Sequence, residues 1–424
     1  MKWVVFIVAA LLTPPFGRWL ATRPRARLWL WAAIPFLAFY GLDAFKINVV
    51  SYETYRGDSR GIEITIVDLF TIALSVALPP ARGPAPLRLP VAMYAAVTVF
   101  SVIVAHEPLF ATFSVWKLMR MIFFARVMTR GCEDPAVAPW ILRGMASGVI
   151  YELGVALHQR YVLHHHQVSG DFAHQNTFGM AVNLVMPMVL ALRLSGSGGR
   201  LALPTLLAGA SCIVLTLSRG AMTMLLVGSL LVFTASTVRK PTRGKIKTAL
   251  VSVAVAGAML SRAWSTIVDR FVNAPKESAE GREQFEEAAR LMLADHPLGI
   301  GMNGFSLALG EPGYGARVGV LGYDATGIVH NIYWLTAAEI GYLGFVAFVV
   351  LLAGPVVLAA RGWWWANDDR RGDVMLGLGV GLLLMDLQGQ LEWAFRQTTL
   401  SYLFWTIVSI VTALSRQVDP RARA

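Results

Sequence analysis

The sequence predicts an all-α, polytopic integral membrane protein with twelve or thirteen transmembrane helices and one larger helical loop on the exoplasmic side. Of its 424 residues, 56% are hydrophobic and only 15% charged. The mean hydropathy of +0.56 lies far outside the range of soluble globular chains. Apolar runs of about 16 to 22 residues recur, the length that crosses about 30 Å of hydrocarbon. Lys and Arg gather in alternate short connections between those runs. The net charge of +11 therefore reports orientation in a bilayer, and nucleic acid is not an expected partner.

In chain order, 28–45, 62–78, 89–105, 108–128, 139–157 and 174–194 read as six spans ahead of any long loop. The run from Leu201 to Thr237 is too long for one crossing and breaks near Ser218, Arg219 and Gly220, so it reads as two helices meeting at a membrane surface. Spans follow at 246–264, 330–360, 372–388 and 398–414, while residues 3–20, interrupted by Pro14 and Pro15, either cross fully or dip in. No small-residue cleavage pattern follows the apolar run Trp3 to Thr13, so it is not read as a removable signal. The chain thus divides into N-terminal helices (1–264), a large loop (265–329), and C-terminal helices with a basic tail (330–424).

By the positive-inside rule, the connections carrying Arg23 and Arg25, Arg82 and Arg88, Arg126 and Arg130, Arg193 and Arg200, and Arg239 to Lys247 face the cytoplasm. Segments 46–61, 158–173, 265–329 and 389–397, with the break at Arg219, are left on the exoplasmic side. Only 265–329 is long enough to hold structure. There Glu280 to Asp295 reads as an amphipathic helix, with Phe285, Ala288, Ala289, Met292 and Leu293 on one face, expected to lie along the membrane surface. Gly299-Ile300-Gly301-Met302-Asn303-Gly304 is a literal GxGxxG, but no strand precedes it and no βαβ unit surrounds it. It reads as a turn and not as a dinucleotide site.

His330, Arg219 and Arg282 map to one exoplasmic boundary although they are far apart in sequence. Two arginines offer permanently charged, forked donors that suit a diphosphate, and a neutral histidine can take a proton from an acceptor hydroxyl. Taken singly, Arg219 reads equally well as snorkelling to headgroups, and His330 as a helix cap. Among His158, His164, His165, His166 and His174, three consecutive imidazoles cannot all face one ion from a regular element. That stretch reads as a polar loop, with Arg160 and His174 as candidate substrate contacts. Glu283, Glu286 and Glu287 fall at helical spacing on a solvated face, so no metal site and no cofactor is expected. Cys132 and Cys212 have no metal or disulfide spacing.

Within the spans, Asp68, Lys117 and Arg120 need partners. Either Asp68 and Lys117 lock two helices as an ion pair, or Lys117 and Arg120 belong to a polar wall near a lipid-phosphate path. Gln388, Gln390, Glu392 and Arg396 close the last exoplasmic turn and read as a polar loop, with Gln390 kept as a candidate substrate contact. Trp363 to Trp365 read as an interfacial anchor.

Four motifs then carry a resemblance: Leu217-Ser218-Arg219-Gly220-Ala221, the Gly281-Arg282 pair ahead of a helix, His296-Pro297-Leu298-Gly299-Ile300-Gly301, and His330-Asn331-x-Tyr333 followed by Glu339-x-Gly341. In order and spacing they resemble the O-antigen ligase and polysaccharide polymerase superfamily, most of all an O-antigen ligase. The similarity runs from about Gly170 to the C-terminus, including Phe172-Ala173-His174-Gln175-Asn176, whereas the first 150 residues match only in hydropathy. The resemblance implies glycosyl transfer in the bacterial inner membrane, among membrane lipids, at a site facing the periplasm. The donor would be a glycan on undecaprenyl diphosphate and, for a ligase, the acceptor a sugar of the lipid A core. In that picture Arg219 and Arg282 hold the departing diphosphate and His330 activates the acceptor, with inversion and without a metal. Asn176, Asn331 and Tyr333 follow as neighbouring substrate contacts.

A polymerase or a protein-glycosylating transferase would share the diphosphate site and differ only in what reaches His330. The modest 265–329 loop with its surface helix suits a membrane-embedded acceptor and inclines the reading to the ligase. A transporter or flippase is the alternative from another class. Polar groups gathered at one face instead of the midplane, with no visible inverted repeat, argue against it.

Overall fold

The structure, a computed structural model, describes residues 2–80, 87–251, 254, 257, 276–311, 313–320, 327–366 and 370–418. α1 (Lys2–Ala21) and α2 (Pro24–Phe39) lead into an antiparallel hairpin of β1 (Lys46–Ser51) and β2 (Gly61–Thr65). There follow α3 (Ile66–Ala77), α4 (Arg88–Val104), α5 (Pro108–Gly131), α6 (Val137–Tyr161), α7 (Gln175–Leu194), α8 (Ala202–Thr216) and α9 (Arg219–Arg239). After α10 (Lys276–Asp295) come α11 (Ile332–Trp365), α12 (Arg370–Gln388) and α13 (Thr398–Val418). The fold is all-α apart from the hairpin. Among the described residues, seven helices (α1, α5, α6, α7, α9, α11 and α13) are long and apolar enough to cross a membrane, and α3, α4 and α8 are apolar but shorter. Most of the expected span at 246–264 lies outside the described residues.

Burial is distributed as a lipid-solvated protein requires. α1 and α9 turn Val4, Leu11, Leu226 and Leu230 outward, whereas α7 and α13 are enclosed along most of their length. Outward apolar side chains with backbone bonds closed inside each helix are what hydrocarbon tolerates. At the centre α12 packs along α7. A Cβ on Gly377 would stand 2.2 Å from Met188 Cα, so these two helices are held at backbone contact distance.

The hairpin explains the intramembrane charges. Thr65 caps α3 in a capping box with Asp68, which therefore sits in the first turn and not deep in a span. Its partner is Arg120 (2.9 Å), which also holds Glu63 (2.6 Å), while Tyr402 Oη donates to the second Asp68 oxygen (2.7 Å). The expected Asp68–Lys117 pair is thus replaced: Lys117 Nζ donates to the Arg396 carbonyl instead. Burial opposes ionisation of Glu63, but Arg120 first, then Lys117 and Lys46, hold its carboxyl down at about 2.

α11, expected as one span, contains a break. Gly341 has φ +68° and ψ −173°, a left-sided conformation that glycine tolerates. The break frees the carbonyls of Ala338 and Glu339, which accept from Ile300 N (3.0 Å) and Gly301 N (2.9 Å), while Tyr342 N donates to the Pro297 carbonyl (3.1 Å). The GxGxxG stretch is accordingly a series of turns docked on the α11 break, as expected of it. One expectation for the large loop is corrected. The apolar face of α10 does not lie open to a membrane: Ala288, Ala289, Met292 and Leu293 are buried, with α10 packed on α11. Arg290 stacks over the Trp334 ring at 5.0 Å to fix that contact.

Candidate active site

Three helices begin at one place, and each start is set by a side-chain cap. His174 Nδ1 accepts from Asn176 N at the head of α7 (3.3 Å), and Ser218 Oγ from Ala221 N at the head of α9 (3.3 Å). Asn331 Oδ1 accepts from Tyr333 N (3.1 Å) and Trp334 N (3.3 Å) at the head of α11. The turn after α12 reaches the same point, where Ile332 N donates to the Gly389 carbonyl (2.9 Å).

Glu392 joins these elements. It is 2% exposed, its Oε2 stands 3.3 Å from His330 Nδ1, and its Oε1 accepts from Asn176 Nδ2. Asn176 Oδ1 in turn accepts from Ser218 Oγ (2.8 Å). A continuous line of hydrogen bonds therefore runs from His330 through Glu392 and Asn176 to Ser218, the residue before Arg219. With Nδ1 occupied by a carboxylate, the free ring nitrogen of His330 is Nε2, and the ring is 42% exposed.

Arg219 is exposed in the first turn of α9, and Arg282 is half-buried on α10. Neither forms an ion pair with a carboxylate among the described residues. Burial at Glu392 opposes its ionisation, but hydrogen bonds and charge from His330, then Asn176 and His174, hold its carboxyl below the ordinary range. Partial burial pushes the His174 imidazole down, and His330 and Arg282 push it further against the pull of Glu392. His174 thus feels Glu392, His330 and Arg282 through space, so all three lie near it. The positive ends of three helix dipoles, with two guanidinium groups that have no carboxylate partner among the described residues, suit an anion beside the His330 imidazole.

A family model described as O-antigen ligase matches residues 204–349. By this match, about a third of the chain is similar to the O-antigen ligase family. The similarity supports ligase- or polymerase-type activity in broad terms, and the apolar helices fit a multi-pass membrane protein. The matched stretch contains Arg219, Arg282 and His330, whereas His174, Asn176 and Glu392 lie outside it and are brought in by the fold. No curated protein matches the chain.

The other sequence-predicted contacts fall into two groups. His174, Asn176, Asn331 and exposed Gln390 are at the site, but Asn176 and Asn331 already spend their side chains on structure, the latter also donating to Glu286 on α10 (3.0 Å). Tyr333 donates its hydroxyl to the Asp386 carbonyl (2.7 Å), which ties α11 to α12. Arg160 donates to the His165 (3.1 Å) and His166 (2.7 Å) carbonyls and so shapes its own loop. Lys117 and Arg120 belong to the buried charge networks described above. Among the described residues no three or more His, Cys, Asp or Glu side chains group as a metal site would require.

Glu392 carries little sequence signal of its own. The available signal was an acid in a short turn between two apolar runs, at the same predicted depth as His330. Nothing in the sequence placed it within reach of residues 62 and more than 200 positions away.

Proposed function

We propose that the chain is an O-antigen ligase that moves a glycan from undecaprenyl diphosphate onto a sugar hydroxyl of the lipid A core, at the periplasmic face of the inner membrane. One observation carries the reading: His330 is held by a buried carboxylate where three helix N-termini meet two arginines that have no carboxylate partner among the described residues.

In the proposed reaction the acceptor hydroxyl oxygen attacks the anomeric carbon. The bond from that carbon to the diphosphate oxygen breaks, and its electron pair leaves with the diphosphate. The hydroxyl proton passes to His330 Nε2, and a single displacement of this kind inverts the anomeric centre. Charge grows on the diphosphate oxygens as the bond lengthens, so cations fixed there favour the transition state over the bound donor. Arg219 and Arg282 supply them, and the positive end of the α9 dipole adds to their field. The imidazolium formed at His330 is stabilised by Glu392, whose ionised state is secured by its own surroundings. Gln390, and His174 through its exposed edge, are proposed contacts to the sugars.

Reconstitution of the purified chain with undecaprenyl-diphosphate-linked glycan and lipid A core, with and without EDTA, tests this reading. Glycan on lipid A in both conditions is the expected product, because arginines provide the neutralising charge. Longer lipid-linked chains with lipid A untouched make the protein a polymerase. No new glycosidic bond on either acceptor removes the reading altogether.

A further inference from the structure

The four helices that carry the site also enclose a second, oppositely placed pocket. At their other ends Ser195, Arg239, Lys240, Lys245, Trp363 and Asp373 line a cavity of about 340 Å³. α9 is 21 residues long and runs from Arg219 to Arg239, so the two places are about 30 Å apart, the thickness of bilayer hydrocarbon. Three cations face one carboxylate here. Arg239 donates to the carbonyls of Trp363 and Trp364, and Lys245 to those of Ser236 and Lys240 (2.7 Å), so both cap helix ends. Capping uses part of the five donors of an arginine and the three of a lysine, leaving others for an anion. Ser236 Oγ, buried in the lining, has no hydrogen-bond partner among the described residues. Burial pushes the Lys245 ammonium down, and Lys240 and Arg239 add to this against Asp373. A bound anion would relieve that crowding.

We propose that this pocket binds the phosphate headgroup of an anionic membrane lipid in the leaflet opposite the active site. A phosphate oxygen array matches forked and point cations together. A lipid is favoured over free phosphate because the pocket lies at the end of α9, an apolar span whose Leu226 and Leu230 are exposed along its length, so an anion held there stands at the level of lipid headgroups. Exposed Trp364 stands at the same level, as interfacial tryptophans do. Basic pockets between helices at a membrane surface hold anionic headgroups in this way, and this inference is independent of the reaction proposed at His330.

Native mass spectrometry of the delipidated full chain in detergent tests it, with titrations of phosphatidylglycerol, phosphatidylcholine and inorganic phosphate. Phosphatidylglycerol is expected to bind more tightly than phosphatidylcholine, and to weaken by about fivefold for each cation removed in Lys240→Gln and Arg239→Gln. Lys240 is exposed, so Lys240→Gln carries the test if the Arg239 variant does not fold. Unchanged phosphatidylglycerol binding by folded Lys240→Gln, or equal binding of the two lipids, overturns the proposal. Displacement of phosphatidylglycerol by an equal concentration of inorganic phosphate overturns the lipid as the source of the headgroup.

Discussion

Replacing His330 by alanine is expected to lower the rate of glycan transfer by about 10²- to 10⁴-fold, the range set by loss of a positioned general base. The protein should fold normally. His330 does not cap α11, because Asn331 does, and its only described polar partner is Glu392. In the proposed reaction Arg219 and Arg282 hold the diphosphate, so the donor should still bind. A single-turnover assay with labelled lipid-linked donor, run beside a donor-binding measurement, separates the two effects. Lost transfer with intact donor binding is the expected pattern, and parallel loss of both would assign His330 to binding.

The second large effect is on stability. Arg396, 5% exposed, lies between Glu339 (2.8 Å) and Asp58 (3.6 Å), both nearly sealed from solvent. Removing one member of such a group leaves uncompensated charge in a low dielectric, which costs about 3–5 kcal/mol. Arg396→Met should therefore melt far earlier in detergent than the parent chain, or fail to accumulate. The cluster ties the turn after α12 to the α11 break and to the 46–65 hairpin region, so its loss should also loosen the support of Glu392. Adding Glu339→Gln to Arg396→Met should recover part of the loss, because it removes one of the stranded charges.

Much of this was legible in the sequence because membrane insertion imposes a one-dimensional signal. Apolar length and the placement of Lys and Arg located most of the helices without tertiary information. The break at Ser218 to Gly220 was visible in the same way, since the Leu201 to Thr237 run exceeds one crossing. His330, Arg219 and Arg282 stand out in the sequence because they lie in motifs that map to a shared depth. Partners were harder. Asp68 and Lys117 look paired when depth along a helix is the only coordinate, but a capping box and a hairpin decide that Asp68 faces Arg120. The α10 stripe has the same periodicity whether lipid or α11 covers it, and only packing tells them apart. Glu392 was hidden for a related reason. Its importance lies in contacts to residues on two other chain segments, which no local pattern encodes.

The most direct test of the His330–Glu392 assignment is a single-turnover comparison of Glu392→Gln and His330→Ala, singly and combined, with donor binding measured beside each. Glu392 touches the imidazole and not the reacting atoms, so Glu392→Gln is expected to lower transfer by about tenfold while donor binding is kept. Because Glu392 acts through the ring it holds, adding Glu392→Gln to His330→Ala should cost nothing further. A Glu392→Gln rate equal to the parent's, or a double variant slower than His330→Ala by about another tenfold, would contradict the assignment of His330 as the proton acceptor held by Glu392.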